Sequence, residues 1–181
     1  VTYVSQGKVD GFISDSYWMD AHDGHLRVVT TSWNPINNAL FVLKDREDVD
    51  QMDIIGSITS GLGKPDETVK SVRFDGDLGY VVTFRQMDPL YTIDLSNPRT
   101  PTIISEIEEP GFSTYLHIWN ERHHAIGFGF TATDMGMVTG MKISAYDTQN
   151  GLVLDTFELG SDAFNSRDFS YSYSEASYNP K

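Results

Sequence analysis

Four short β-type runs separated by turn residues recur three times along this chain, and that recurrence restricts its fold more than any other feature. The middle copy is the clearest. Within Val69–Gly111 the runs are Val69–Phe74, Gly79–Phe84, Leu90–Leu95 and Thr102–Ile107. The gaps carry Asp75-Gly76, Met87-Asp88-Pro89, and Ser96-Asn97-Pro98 with Pro101. Glycine supplies positive φ, proline presets φ, and Asn and Asp close local turns through their own side chains. Four consecutive strands joined this way form one antiparallel meander.

The same pattern lies on either side. Upstream, Gly11–Trp18 and His25–Thr31 read as two strands around Asp20–Gly24, whose Asp23-Gly24 is a strong hairpin signal. A polar loop, Ser32–Asn38, leads to Leu40–Leu43. The acidic bend Asp45–Asp50 then leads to a fourth strand near Met52–Ile58, and Gly61–Glu67 connects to the middle copy. Downstream, the expected strands are Ser113–Trp119, His123–Phe130, Met141–Asp147 and Leu152–Leu159, with a long loop at Thr131–Gly140. Val1–Val9 is expected to be the outer strand of an earlier unit, and Ser170–Tyr178 a single strand with no partner after it.

The copies align by eye. Leu40-Phe41-Val42-Leu43, Leu90-Tyr91-Thr92-Ile93-Asp94 and Ile143-Ser144-Ala145-Tyr146-Asp147 occupy equivalent places, and Val28-Val29-Thr30 matches Val81-Val82-Thr83. A period of about 50 residues is that of propeller repeats. No segment shows a capped 3.6-residue period, so almost no helix is expected. The fold class is therefore all-β: a partial β-propeller of about three four-stranded antiparallel blades plus the first strand of a fourth. The blades are placed at about 11–60, 68–109 and 112–160, within one domain spanning 1–181. Three blades cannot close a ring, so uncovered faces and strand edges imply self-association as a homo-oligomer.

The residues Val72-Arg73-Phe74, Tyr80–Arg85, Asp88-Pro89-Leu90, Ile93–Ser96 and Pro110–Ser113, with the later Gly140–Ser144 and Tyr173–Ala176, resemble a family of secreted bacterial and archaeal proteins. That family has a C-terminal β-propeller distantly related to WD40 repeats. The resemblance covers about Gly24 to Tyr178 and implies an extracellular or cell-surface setting. It implies no particular activity. The chain begins at Val1 rather than Met, so it is expected to be a piece of a longer protein with an export signal or anchor upstream.

Composition narrows the partners. The formal net charge of −13 repels phosphate backbones and anionic lipid, so nucleic acid is not expected as a partner, and no run approaches the roughly 18 apolar residues of a membrane span, so direct insertion is not expected either. There are 9 Tyr, 10 Phe and 3 Trp in 181 residues, an aromatic content that suits pleated, half-buried surfaces. The absence of cysteine removes disulfides, thiolate nucleophiles and cysteine metal sites together.

No catalytic residues emerge. Gly111-Phe112-Ser113-Thr114-Tyr115 fails G-x-S-x-G at its last position. Gly127–Ala132 matches G-x-G-x-x-A, but no helix begins there to receive a phosphate, and Gly136–Gly140 lacks the apolar segment that would give G-x-x-x-G meaning. His123 and His124 are adjacent, so on a strand they face opposite ways; neither they nor His117, His22 and His25 form a metal set by spacing. The acidic run Asp45, Glu47, Asp48, Asp50 and Asp53 lacks the order of a calcium loop and reads as a solvated bend. No cofactor or metal is expected.

The loops joining second to third strands, and those joining successive blades, share one face. On it, Trp33, Arg85 and Asp88 are the candidate ligand-binding residues. The competing structural reading has Trp33 packed between blades and Arg85 paired with Asp88 to brace its own loop. The functional expectation is a non-catalytic extracellular module that binds protein or polysaccharide through this face. The alternative is part of a carbohydrate-active or peptidase-associated enzyme whose acidic residues converge in the channel of a complete propeller.

Overall fold

A computed structural model describes residues 4–46, 49–84, 87–119, 123–133 and 135–159. Among these residues, twelve strands form three four-stranded antiparallel sheets, each a meander in chain order. Sheet 1 is β1 (Met19–His22), β2 (His25–Trp33), β3 (Ile36–Asp45) and β4 (Met52–Ile58). Sheet 2 is β5 (Thr68–Asp75), β6 (Leu78–Phe84), β7 (Met87–Asp94) and β8 (Thr102–Pro110). Sheet 3 is β9 (Phe112–Trp119), β10 (His124–Ala132), β11 (Val138–Asp147) and β12 (Leu152–Leu159). The expected orphan strand Ser170–Tyr178 lies outside the described residues.

The repeat holds at the level of single residues. Val29 opposes Leu40 and Val82 opposes Leu90, while Phe128 opposes Ile143. Each fourth strand also carries one extra residue at the same place. The register slips after Val42, Thr92 and Ala145, leaving Ile55, Ile104 and Leu154 as the bulged residues. These are the positions that align by eye in the sequence.

Several boundaries differ from expectation. Gly11–Trp18 is not a strand. Phe12 makes an isolated bridge to Thr31, and Ser16–Trp18 is a short 3₁₀ turn. Asp15 caps that turn by accepting from the Tyr17 backbone N–H at 2.9 Å, which drops Trp18 into the core at 3% exposure. Local capping outcompetes extension here, and β1 starts only at Met19. The Asp23-Gly24 hairpin forms as expected, both residues having positive φ, as a type I′ turn requires.

Ser32–Asn38 is not a loop but a tight hairpin, with Trp33 opposite Ile36 and a cis Asn34-Pro35 bond between them. Met87-Asp88-Pro89 is likewise strand rather than turn, because these residues pair with Pro110, Glu109 and Glu108 of an extended β8. The long loop expected at Thr131–Gly140 shrinks to 133–137. Residues 4–9, expected as an outer strand, run along sheet 1 without forming a strand of their own. Gln6 bridges to Gln51 beside β4, and Val9 packs on the outward face of sheet 1 with Val28, Phe41 and Leu43.

Two apolar layers join the sheets. Val29, Leu40 and Val42 of sheet 1 meet Val69, Val72, Val81, Tyr91 and Ile93 of sheet 2, with Trp18 sealing the layer. Tyr80, Val82, Leu90 and Ile107 on the opposite face of sheet 2 meet Leu116, Ala125 and Tyr146 of sheet 3. The run Tyr80–Thr83 is wholly buried because alternate residues serve alternate layers. The outward face of sheet 3 carries an apolar row in register: Tyr115, Phe128, Ile143 and Phe157, the last 64% exposed.

Sheet 3 abuts the end of β8 through Gly111. Its φ is +92°, and a Cβ there would lie 1.9 Å from the carbonyl oxygen of Phe130. Gly111→Ala is therefore expected to lower stability by at least about 2 kcal/mol, from strain and backbone displacement together. Urea unfolding monitored by tryptophan fluorescence checks this, the expected result being a lower midpoint with an unchanged slope.

Candidate functional site

The ends of β2, β4, β6 and β10 and the starts of β3, β5, β7, β9 and β11 gather at one end of the sheets, as the meander topology demands. Aromatic residues concentrate there. Trp33 is 63% exposed and stacks flat on Phe12, with ring centres 5.4 Å apart and an interplanar angle of 7°. Phe84, Phe112 and Phe130 form a continuous strip across sheets 2 and 3, at 4.3 and 5.3 Å between successive rings. The Lys70 ammonium lies 5.9 Å from the Phe84 ring centre. Met135 and Met137 stand out beyond the strip, both strongly exposed. Large, rigid or polarizable apolar groups of this kind suit contact with sugar faces and with protein side chains.

Buried carboxylates hold this end together from beneath. Glu67, just before β5, accepts from the Thr83 hydroxyl at 2.7 Å and from the Lys64 backbone N–H at 2.8 Å. Its own carbonyl accepts from Asn38 Nδ2 at 3.0 Å, tying sheet 1 to sheet 2. Glu109, near the end of β8, does the same one junction later. It pairs with Lys142 Nζ at 2.6 Å and accepts from the hydroxyls of Ser144, at 3.1 Å, and of Tyr146. Lys142 also donates to the carbonyl of Pro110 at 2.8 Å, and Tyr146 OH lies 3.0 Å from Ser113 Oγ. Nearby, burial above all pushes the Tyr91 phenol up, and it remains a donor to Glu106 at 3.2 Å.

A recess of about 120 Å³ lies where the first strands of sheets 2 and 3 meet the 3₁₀ turn. Tyr17, Lys70, Arg73, Thr114 and Tyr115 line it, and Ser71 Oγ closes its floor by donating to the carbonyl of Ser113 at 3.1 Å.

The sequence matches the family model described as Beta propeller domain over residues 1–181. The chain belongs to the Beta propeller domain family. The three sheets are its blades. Two relatives are uncharacterized archaeal proteins. The one from Archaeoglobus fulgidus is 40% identical over 141 residues, covering 77% of this chain and 20% of the relative. The one from Methanocaldococcus jannaschii is 36% identical over 162 residues, covering 86% of this chain and 24% of the relative. The chain thus spans about a fifth to a quarter of the length of these relatives. Among solved structures, the β-propeller domain of the Trilobed protease from Pyrococcus furiosus, described as having an open velcro topology, aligns with a TM-score of 0.40 at 12% identity, covering 80% of this chain and 43% of that one.

Of the sequence-nominated residues, Trp33 sits on the aromatic end of the first blade and is exposed rather than packed between blades. Asp88 lies within β7 opposite Glu109, and Arg85 lies outside the described residues. His117 and His124 stand on neighbouring strands of the third blade, opposite Ile126 and Asp147 respectively. In the acidic bend, Arg46 approaches Asp53 at 3.8 Å, while Glu47 and Asp48 are outside the described residues. Sequence reasoning missed Phe12, Phe84, Phe112 and Phe130. Phe84, Phe112 and Phe130 each fall at a strand terminus or just inside it, at the junction between second and third strands or between blades, and that shared position was the signal available.

The buried Glu109–Lys142 pair yields a prediction. Lys142→Met leaves a carboxylate without its counter-charge and is expected to cost about 3–5 kcal/mol. The double variant Glu109→Gln/Lys142→Met is expected to lose less than the sum of the two single losses. Equilibrium unfolding of the four proteins closes this cycle.

Proposed function

We propose that the chain is a non-catalytic recognition module of a longer β-propeller protein, and that it grips protein or polysaccharide at its aromatic end. The observation that carries this reading is Trp33, held flat on Phe12 with 63% of its surface facing water. A soluble chain gains little by fixing an exposed indole in one orientation unless something stacks on it. The buried carboxylates support the same reading. The Glu67 carboxylate is engaged by Thr83 and the Lys64 N–H, and that of Glu109 by Lys142, Ser144 and Tyr146 of the next blade, so their geometry is that of structural braces rather than of an acid–base pair. Resemblance to a secreted family supports a setting outside the cell or at its surface.

Glycan and protein arrays probed with this chain and with the longer protein test the proposal. Retention without turnover is expected. Turnover of a retained glycan or peptide would instead make the chain part of a carbohydrate-active or peptidase-associated enzyme. Trp33→Ala is expected to weaken binding of a retained ligand by about thirtyfold, equivalent to roughly 2 kcal/mol, with the unfolding midpoint almost unchanged. Full binding by the variant would remove Trp33 from the site.

The face of the third blade that no other described residue covers supports self-association of this chain. Leu152, Leu154 and Phe157 of β12 are 54%, 54% and 64% exposed. Light scattering across a wide concentration range is expected to show reversible association, reduced by Phe157→Glu. A compact monomer at every concentration would refute it.

A further inference from the structure

We propose that the facing hairpin tips of the first and second blades form a binding site for a divalent transition-metal cation, with His22, Asp23 and Asp77 as ligands. His22 ends β1, Asp23 opens the turn after it, and Asp77 lies in the β5–β6 turn of the next blade. One donor atom from each lies within 4.8 Å of the other two. His22 Nε2 is 3.5 Å from Asp23 Oδ2 and 3.4 Å from Asp77 Oδ1. Those separations are longer than the roughly 2.7–3.2 Å of an N–H···O bond. They match the edge, about 3.3–3.5 Å, of a tetrahedron of nitrogen and oxygen ligands around zinc at bond lengths of about 2.0–2.1 Å. One imidazole nitrogen with two carboxylate oxygens selects a borderline cation such as Zn²⁺ over Ca²⁺ or Mg²⁺, which prefer oxygen alone.

The tips are fixed before any ion arrives. The Asp23-Gly24 turn is locked by the His22–His25 pair, and the carbonyl of Asp77 accepts from the Leu95 N–H at 2.8 Å. Arg27, only 4% exposed, reaches from β2 to donate to the carbonyl of Gly76, the residue before Asp77. Its guanidinium is itself held by Asp20, with Nε at 3.0 Å, and lies over the Phe74 ring at 4.9 Å. Arg27 therefore sets one tip against the other while being engaged elsewhere. Beside the three ligands is a recess of about 160 Å³, also bordered by His25, Ser96 and Pro98, which leaves room for water or a further donor to complete the coordination. Asp77 is remote from His22 in sequence, so only the stacking of blades reveals the set. An ion here would tie blade 1 to blade 2 at the end opposite Trp33.

Isothermal titration of Zn²⁺ into the chelator-stripped chain at physiological ionic strength tests this. One saturable equivalent is expected, with a rise in unfolding temperature that EDTA reverses. His22→Ala and Asp77→Asn are each expected to weaken binding at least about tenfold, while Glu158→Gln, on the far blade, leaves it unchanged. In the unsubstituted chain the His22 Nε2 resonance should move on Zn²⁺ addition and that of His117 should not, a readout independent of whether the variants fold. Absence of saturable binding, equal weakening by Glu158→Gln, or a stationary His22 resonance would overturn the site.

Discussion

Burial of the central blade on both faces is the constraint from which the rest of the structure follows. Tyr80, Val81, Val82 and Thr83 are all inaccessible to water, with Tyr80 and Val82 facing the third blade and Val81 the first. A single four-stranded meander cannot bury its own two surfaces, so it must recruit a neighbour on each side. The outer blades share that logic only by half. The first covers its outward face with residues from its own leading segment, Val9 among them. The third leaves a row from Tyr115 to Phe157 without a fourth blade among the described residues.

Polar groups then decide how the blades are aligned. Apolar layers are tolerant of small rotations, whereas the Glu109–Lys142–Tyr146–Ser144 cluster has one arrangement that satisfies every member. At the preceding junction Glu67 makes the link through its backbone carbonyl, which accepts from Asn38 of the first blade, while its carboxylate is held within the second by Thr83 and the Lys64 N–H. Recurrence of a buried glutamate just ahead of each new blade suggests that interblade register is set by hydrogen bonding, with hydrophobic burial supplying the greater part of the cohesion.

Much of the architecture was legible in the sequence, and for a definite reason. Strand content, strand order and even the equivalence of Leu40, Leu90 and Ile143 follow from a period-2 pattern and turn residues, which are local properties. The errors lie where a non-local partner overrode a local signal. Met87-Asp88-Pro89 looks like a turn, yet β8 is long enough to pair with it, and proline is accommodated within the strand. Gly11–Trp18 looks like a strand, yet Asp15 caps a turn and the core captures Trp18. The site was less legible than the fold. Trp33 was identifiable as an aromatic at a loop end, but the Phe84–Phe112–Phe130 strip joins residues far apart in the chain.

The extra residue in every fourth strand has a bearing on how such a chain avoids polymerising. Ile55, Ile104 and Leu154 each break the hydrogen-bond ladder midway along a rim strand and bend it. A rim bent at its centre is a poor template for another straight ribbon, so growth by adding strands edge to edge, the route toward cross-β fibrils, is discouraged at all three blades alike.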